Sequence, residues 1–242
     1  MQRSCQKGDE ILCAGIAENL ALVQEKIARA AERVGRDPSQ VKLVAVSKGV
    51  APERIKEALS CGVKDFGENR VQEFQQKHQV LGDLVEWHFI GHLQRNKAKY
   101  LVGKIKLLHS LDSLKLAQTL EKLATRSGTS WKVLVQVNVS GEPTKHGISP
   151  SELDYFLEEL RKFKGLEVCG LMTIAPYSPD PETVRPVFRK LRQLRDEFTK
   201  KKPWLDLMHL SMGMSADFEV AVEEGATIVR IGSAIFSEPL CN

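Results

Sequence analysis

The sequence has little that would link it to a membrane, a nucleic acid or an oxidising compartment. No stretch approaches the roughly 20 apolar residues that a membrane-spanning helix needs, and the N-terminus lacks the charged-then-apolar arrangement of a secretory signal. The 35 basic and 31 acidic residues leave a formal charge of only +4. They form no dense basic block beyond residues 200–202, so nucleic-acid binding is not expected. We expect a protein of the cytoplasm.

Motifs for metals and for several kinds of catalysis are missing as well. The five cysteines are odd in number, widely spaced and free of any C-x-x-C pair, which argues against a zinc or dithiol site. His88 and His92 are four residues apart, but no H-E-x-x-H glutamate accompanies them, so we predict no metal site. The chain also lacks a Walker G-x-x-x-x-G-K-[ST] loop, a strand-to-helix G-x-G-x-x-G turn and a G-x-S-x-G elbow. Nucleotide hydrolysis and serine esterase chemistry are therefore not expected.

Short apolar runs alternate with amphipathic segments along most of the chain. A helical period over residues 11–34 comes first and ends near Gly35 and Pro38. Eight runs rich in β-branched residues then predict strands at 41–46, 63–66, 85–90, 105–109, 132–139, 166–172, 207–210 and 227–231. Helical periods between them predict helices at 52–60, 70–81, 94–102, 113–125, 150–162, 182–199 and 216–224.

This alternation predicts a parallel sheet, because parallel strands are joined by crossovers that are usually helices. Eight strand–helix units favour an α/β fold closed into a (β/α)8 TIM barrel with an extra N-terminal helix, and an open doubly wound sheet is the alternative. No linker divides the chain, since the proline-rich stretch 176–181 is short and leads into a helix. We therefore predict a single domain over residues 1–242.

Polar residues follow the apolar runs, and in a barrel the carboxyl ends of the strands form the mouth where active sites lie. Lys48 is the most informative of them, because it comes directly after the first run. An apolar strand that ends in lysine carries an amine toward a pocket, where partial loss of water favours the neutral amine that attacks an aldehyde. The alternative is a lysine that extends from the strand end into solvent.

The last two strands end in turns rich in serine and glycine. Leu-Ser-Met-Gly-Met-Ser at 210–215 opens a predicted helix, and Arg-Ile-Gly-Ser at 230–233 ends the eighth strand. Free backbone N–H groups at such turns bind anions, and barrels commonly hold a phosphate there. Ordinary capping by Ser215 and a tight turn at Gly232 would explain the same residues. Beside a strand-end lysine, however, a phosphate anchor is what a phosphorylated aldehyde cofactor requires.

Arg230 comes just before the last of these turns. Directed into the mouth, it would donate a hydrogen bond to the ring nitrogen of such a cofactor. Because an arginine does not readily give up its proton, that nitrogen would stay unprotonated and the cofactor would be a poor electron sink. A salt bridge from Arg230 to Glu219 or Glu223 is the alternative.

Dispersed blocks of the sequence occur together, in this order, in one known family. They are VAVSK at 44–48, FGEN at 66–69 with QE at 72–73, WHFIGHLQ at 87–94 with NK at 96–97, HS at 109–110 with Asp112, VN at 137–138 with Lys145 and Gly147, GLMT at 170–173, and the segments 210–217 and 229–236. Through these blocks the chain resembles the pyridoxal phosphate homeostasis proteins, barrels related to the N-terminal domain of alanine racemase. The resemblance covers roughly residues 10–238.

The resemblance implies a cofactor site for pyridoxal 5'-phosphate (PLP). It implies that Lys48 is the Schiff-base lysine, to which PLP is bound covalently, and that Arg230 faces the pyridine nitrogen. Asn69 would lie near the cofactor face. The phosphate would be held by Ser211, Ser215, Gly232 and Ser233. Two departures are small: Gly-Val-Ala at 49–51 replaces a common Thr-Lys-Pro, and Ser233 stands where threonine is frequent.

The resemblance also implies a function in PLP homeostasis rather than fast catalysis. Related racemases take a second base, a tyrosine, from a following β domain, whereas this chain has only Tyr100, Tyr155 and Tyr177. We expect a monomer that is not an enzyme and that stores PLP reversibly and delivers it to apo PLP-dependent enzymes. A slow racemase, or an aldolase that uses Lys48 on a phosphorylated substrate, is the alternative.

Overall fold

The computed structural model describes residues 6–237, with side chains from Gly15 onward, and its sheet is a barrel. The eight strands are β1 (Lys42–Val46), β2 (Asp65–Glu68), β3 (Glu86–Phe89), β4 (Leu107–Leu111), β5 (Trp131–Gln136), β6 (Leu166–Met172), β7 (His209–Ser211) and β8 (Ile228–Ile231). Each strand pairs in parallel with the next, and β8 pairs with β1. The predicted (β/α)8 barrel is confirmed, and the open doubly wound sheet is wrong.

Helices surround the barrel. They are α1 (Gln6–Glu32), α2 (Pro52–Ser60), α3 (Val71–Leu81), α4 (Leu114–Ser127), α5 (Leu153–Leu160), α6 (Arg185–Lys201), α7 (Phe218–Glu223) and α8 (Ser233–Phe236), with 3-10 helices at Pro38–Gln40, Gly82–Leu84, Arg95–Tyr100 and Pro181–Val184. The extra N-terminal helix is confirmed: α1 precedes the barrel, and the Asn19 side chain donates to the Ile235 carbonyl 3.0 Å away. Within the described part of the chain, no helix combines the length and the apolar character needed to cross a bilayer.

Two apolar cores hold these layers together. The larger core lies between the barrel and its helices and includes Ile16, Phe66 and Phe188. A smaller cluster is formed by side chains of the strands themselves: Val44, Leu107, Leu134, Cys169, Met172 and Ile228. Because side chains alternate along a strand, alternate positions from each strand fill the barrel interior. Several of those interior positions carry polar side chains.

Local chemistry explains which segments match the prediction. Helix α2 begins at Pro52, which has no N–H to leave unbonded in the first turn, and helix α4 ends at Gly128, whose φ of +65° suits glycine. The segment predicted as an α-helix at 94–102 is instead the 3-10 helix Arg95–Tyr100. Its first residue has no side-chain cap from Gln94, and short connecting turns commonly take the 3-10 form.

Candidate functional site

Lys48 lies at the mouth of the barrel, two residues after the end of β1. Its side chain is exposed, whereas Ser47 before it is fully buried. The partial loss of water expected for this amine is therefore absent from the structure. Lys48 is therefore an accessible amine, and the residue before it, Ser47, is fixed inside the protein.

Three charged side chains, Glu68, Glu73 and Lys77, hold the backbone on both sides of Lys48, and we call them the lysine clamp. Lys77 on α3 donates from Nζ to the Ser47 carbonyl at 2.5 Å and to Glu68 Oε1 at 2.7 Å. Glu73 accepts from the backbone N–H of Gly49 at 2.9 Å. The clamp thus bonds a carbonyl before Lys48 and an N–H after it, which restricts the backbone that carries the amine.

The clamp contains a buried ion pair. Glu68 is fully buried, and Lys77 is 6% exposed. Burial raises the pKa of the Glu68 carboxyl, although hydrogen bonds from Lys77 and from the Ser47 hydroxyl oppose that rise. The Ser47 hydroxyl donates to Glu68 Oε1 at 2.6 Å. Neither glutamate nor lysine was predicted as a site residue. Glu68 and Glu73 stand in the family blocks FGEN and QE, but for Lys77 the sequence offers only its spacing of four residues from Glu73, which is common on exposed helix surfaces.

The turns after β7 and β8 meet around Ser215. Its hydroxyl oxygen accepts from the backbone N–H groups of Gly232 at 3.3 Å and Ala234 at 3.4 Å. A Cβ on Gly232 would lie 3.1 Å from the Val46 carbonyl oxygen, so this turn packs directly on the end of β1. Ser233 is exposed beside it. The structure therefore brings together three of the four predicted phosphate residues, Ser215, Gly232 and Ser233. Gly232 packs on Val46, which precedes Lys48 by two residues.

A buried carboxylate shapes the turn after β7. Asp217 Oδ1 accepts from the backbone N–H of Met214 at 2.6 Å, and burial raises the pKa of the Asp217 carboxyl. Gly213 has a φ of +91°, and a Cβ there would lie 2.6 Å from the Ala221 Cβ. The carbonyl of Gly213 accepts from the backbone N–H of Arg230 at 3.0 Å. This turn therefore needs glycine and is bonded to β8.

Arg230 points into the barrel and not to the acidic residues of α7. Its guanidinium donates to the Ser211 hydroxyl at 2.6 Å and to the Thr173 carbonyl at 3.0 Å. Burial lowers the pKa of the Arg230 guanidinium to about 10, which leaves it a cation near neutral pH. The salt bridge considered as an alternative is wrong, because Glu219 and Glu223 pair instead with Arg33 on the outside of the barrel.

Ser211 is the one predicted phosphate residue that the structure separates from the others. It is the last residue of β7 and is fully buried. Its hydroxyl lies between Arg230 and His109, whose Nδ1 is 2.9 Å away. The side chain is thus committed to the barrel interior. The predicted phosphate contact of Ser211 does not match this geometry.

Asn69 lies at the end of β2 and is half-buried. Its Oδ1 is buried and has no hydrogen-bond partner among the described residues. A buried polar atom without a partner is costly, and such atoms often await a ligand or a water molecule. The backbone of Asn69 packs on Gly91, where a Cβ would lie 2.2 Å from the Asn69 carbonyl oxygen. The prediction of Asn69 near a ligand is compatible with this placement.

The two histidines weighed as metal ligands occupy different places. His88 is buried inside the barrel, whereas His92 is exposed at the rim, where its Nδ1 lies 3.0 Å from Asp112 Oδ2. His146 stacks on His92 with ring centroids 4.0 Å apart and an interplanar angle of 13°. These three rim side chains have potential ligand atoms within 4.8 Å of one another.

Comparison with known proteins matches the whole barrel. The family model for the alanine racemase N-terminal domain matches residues 18–239. A pyridoxal phosphate homeostasis protein of Aquifex aeolicus is 53% identical over 222 residues, which cover 91% of this chain and 97% of that protein. The human protein of the same name is 42% identical and covers 93% and 86%. The structure of PipY from Synechococcus elongatus PCC7942 with PLP bound aligns with a TM-score of 0.80 at 38% identity, covering 92% of this chain and all of that one.

Proposed function

Since the chain belongs to the pyridoxal phosphate homeostasis proteins, within the alanine racemase N-terminal domain family, we propose that it binds PLP reversibly at the barrel mouth. The family resemblance drawn from the sequence blocks is confirmed. One observation carries the proposal: an accessible amine, Lys48, and a turn whose backbone N–H groups converge on the Ser215 hydroxyl, Gly232 to Ala234, lie at the ends of the adjacent strands β1 and β8. Such a pair suits a ligand with an aldehyde at one end and a phosphate at the other.

The residues at the mouth fit PLP group by group. Backbone N–H groups of Gly232 and Ala234, with the hydroxyl of Ser215, would hold the phosphate. The guanidinium of Arg230 would face the pyridine nitrogen, and the free amide oxygen of Asn69 marks a polar position still open to a ligand. PLP supplies an aldehyde, which condenses with the amine of Lys48 to form a C=N bond with the loss of one water molecule. We propose that PLP is attached covalently in this way.

Arg230 would keep the bound cofactor a weak electron sink. It remains a cation at neutral pH and has two of its N–H groups already bonded to protein oxygens. It would donate to the pyridine nitrogen without giving up a proton, so the ring would gain no full positive charge. This favours storage and delivery of PLP to apo-enzymes over catalysis. We propose that this occurs in the cytoplasm and that the protein acts as a monomer.

The first experiment compares absorbance spectra of the protein with added PLP and of two lysine variants. Lys48→Ala should lose the visible band of bound PLP, and Lys64→Ala, an exposed lysine before β2, should keep it. Borohydride reduction followed by peptide mass analysis should find the pyridoxyl group on Lys48. A visible band retained in Lys48→Ala, or a label on another lysine, would overturn the covalent assignment, and no band in any protein would overturn PLP binding.

A second experiment separates a carrier from an enzyme. PLP held by the protein should reach an apo-enzyme faster than it dissociates into solution in the absence of that enzyme. The loaded protein should leave the handedness of L-alanine in D2O unchanged, because a base on one face returns the proton to the face it left. Transfer no faster than free dissociation would contradict delivery. Rapid formation of D-alanine would identify a racemase instead.

A further inference from the structure

A continuous row of hydrogen bonds crosses the barrel interior from one end to the other, and we call it the interior chain. Arg230 donates to Ser211 Oγ at 2.6 Å, and Ser211 Oγ lies 2.9 Å from His109 Nδ1. His109 Nε2 lies 2.8 Å from His88 Nδ1, and His88 Nε2 lies 2.9 Å from Asp65 Oδ1. Five side chains from β2, β3, β4, β7 and β8 thus join the cation beside the mouth to a carboxylate at the first residue of β2.

Donor and acceptor chemistry gives the interior chain one direction. Arginine only donates and an ionised carboxylate only accepts, so the two ends are fixed. Burial lowers the pKa of His88 and lowers that of His109 well below its usual value, so both rings are neutral. Each neutral ring has one N–H, and each must therefore carry it on Nε2. All hydrogens along the interior chain then point from Arg230 toward Asp65.

The far end of the interior chain reaches solvent at the opposite side of the barrel from Lys48. Burial favours a raised pKa for Asp65, but the hydrogen bond from His88 and the positive charges of Lys42 and Lys106 outweigh this and lower the pKa to about 2. Lys42 and Lys106 approach Asp65 Oδ1 to 3.5 Å and 3.4 Å. Glu86 pairs with Lys106 at 3.5 Å but is not part of the interior chain.

Other ionisable groups that face the interior chain do not replace its ends. His209 on β7 faces Lys42 and His88, and burial lowers its pKa. Asp217 acts on the charge of Arg230 from the turn after β7, but its own Oδ1 is bonded to the backbone N–H of Met214. Lys132 pairs with Glu167 on the outer surface. Asp65 is therefore the anion that the hydrogen bonds join to Arg230.

We propose that Asp65, His88 and His109 are positioning residues that orient Arg230 toward the pyridine nitrogen of PLP and make PLP affinity depend on the charge of Asp65. This inference rests on the proposed function. Hydrogen bonds in a row polarise one another, and the effect is larger where water is excluded. The negative charge of Asp65 makes each acceptor atom along the interior chain a stronger acceptor, up to the Ser211 hydroxyl oxygen, and so fixes the guanidinium in one orientation. A change at one end of the barrel should then be felt at the other.

The direction of the interior chain can be tested without PLP. Nitrogen-15 NMR of the protein labelled at histidine should show His88 and His109 as neutral rings with the proton on Nε2 between about pH 6 and 8. A proton on Nδ1 of either ring, or a charged ring in this range, would overturn the inference. This readout depends only on the protein, so it is independent of whether PLP binds.

The role in PLP binding can be tested with a matched pair of charge removals at the same end of the barrel. Asp65→Asn keeps an acceptor oxygen for His88 but removes the charge, and we expect the Kd for PLP to rise about 5-fold or more. Glu86→Gln removes the same charge outside the interior chain and should change the Kd less than about 2-fold. Equal effects of the two variants would mean that only general electrostatics act, and would overturn the inference.

A second pair of variants breaks or preserves the interior chain in the middle. His109→Leu leaves the Ser211 O–H and His88 Nδ1 without their hydrogen-bond partner, and the Kd should rise about 10-fold. His109→Gln can accept at its oxygen and donate at its nitrogen, so it should recover most of that loss. A Kd for His109→Leu equal to that of the unaltered protein would overturn the inference, provided that circular dichroism shows both variants folded. Absence of PLP binding in the unaltered protein would instead reject the proposed function, and with it this extension.

Discussion

Removal of Lys77 should destabilise the protein and loosen the backbone around Lys48. In Lys77→Met the buried carboxylate of Glu68 loses its cation, and Glu68 Oε2 already has no hydrogen-bond partner among the described residues. Breaking a buried ion pair by removing one partner costs about 3–5 kcal/mol. For a domain of this size, about 2–4 °C of Tm is lost per kcal/mol. We therefore expect Tm to fall by about 6–20 °C.

Urea or thermal unfolding measures this loss, and two further variants test its cause. Lys56→Met removes an exposed lysine on α2 and should change the unfolding free energy by less than about 0.5 kcal/mol. Lys77→Met combined with Glu68→Gln removes the unpaired charge and should recover most of the stability. If the double variant is no more stable than Lys77→Met alone, the uncompensated charge is not the cause and the reasoning fails.

The pH dependence of the unfolding free energy of Lys77→Met independently tests whether the unpaired charge of Glu68 causes the loss of stability. Burial already raises the pKa of Glu68, and loss of Lys77 must raise it further. A carboxyl with a raised folded pKa destabilises the protein where it is ionised, and the penalty disappears as pH falls through that pKa. The stability difference between Lys77→Met and the unaltered protein should therefore be smaller at pH 5 than at pH 8. A difference that grows on acidification would refute the assignment.

Three other predictions follow from the site. Gly232→Ala brings a Cβ to 3.1 Å from the Val46 carbonyl oxygen, so equilibrium dialysis should show PLP bound about 3–10-fold more weakly. An unchanged Kd would show that this turn is not the phosphate site. Arg230→Lys leaves one of two buried oxygens, such as the Thr173 carbonyl, without its donor, so urea unfolding should show an unfolding free energy lower by about 1–3 kcal/mol. An unchanged unfolding free energy would contradict the two observed hydrogen bonds. Burial lowers the pKa of His109, so the unfolded chain binds more protons than the folded protein below pH 6.5, and the unfolding free energy should fall by about 1.4 kcal/mol per pH unit there. The unfolding free energy of His109→Leu should depend less steeply on pH, and an equal dependence would contradict a neutral His109.

The fold could be predicted from the sequence because apolar runs typical of strands and apolar periods typical of helices alternate regularly along the chain. Strand β6 matches its predicted bounds, and α2 does so as well, since a buried apolar run and a proline at the first helical position are both local signals. The N-terminal period and the eight runs gave the barrel with its extra helix. The short helix α8 was missed, because four residues carry too little pattern to distinguish a helix from a turn.

The site was predictable only where position along the chain decides function. Gly232 is the first residue after β8 and Lys48 is the second after β1, so the predicted strand ends were sufficient to place both residues at the rim of the barrel. Ser211 was expected on the rim because the predicted strand stopped at residue 210. In the structure Ser211 is the last residue of β7, and its side chain is directed into the barrel, where it accepts from Arg230. Lys77 could not be predicted, since a lysine on an amphipathic helix usually faces solvent and its partner Glu68 lies on another element.

The proposal of a carrier rather than a racemase can be compared with the places of the three tyrosines. A racemase needs a second acid–base group opposite the lysine, and none of the three tyrosines is held in such a place. Tyr155 lies on α5 outside the barrel, Tyr100 packs beneath the Lys99 ammonium 5.1 Å from its ring centre, and Tyr177 is 86% exposed in the loop after β6. Enzymes that build reactive intermediates exclude water from them. Lys48 is exposed instead, so water would reach the covalent bond that we propose between Lys48 and PLP and could reverse it, which is the step that the proposed carrier would make to release PLP.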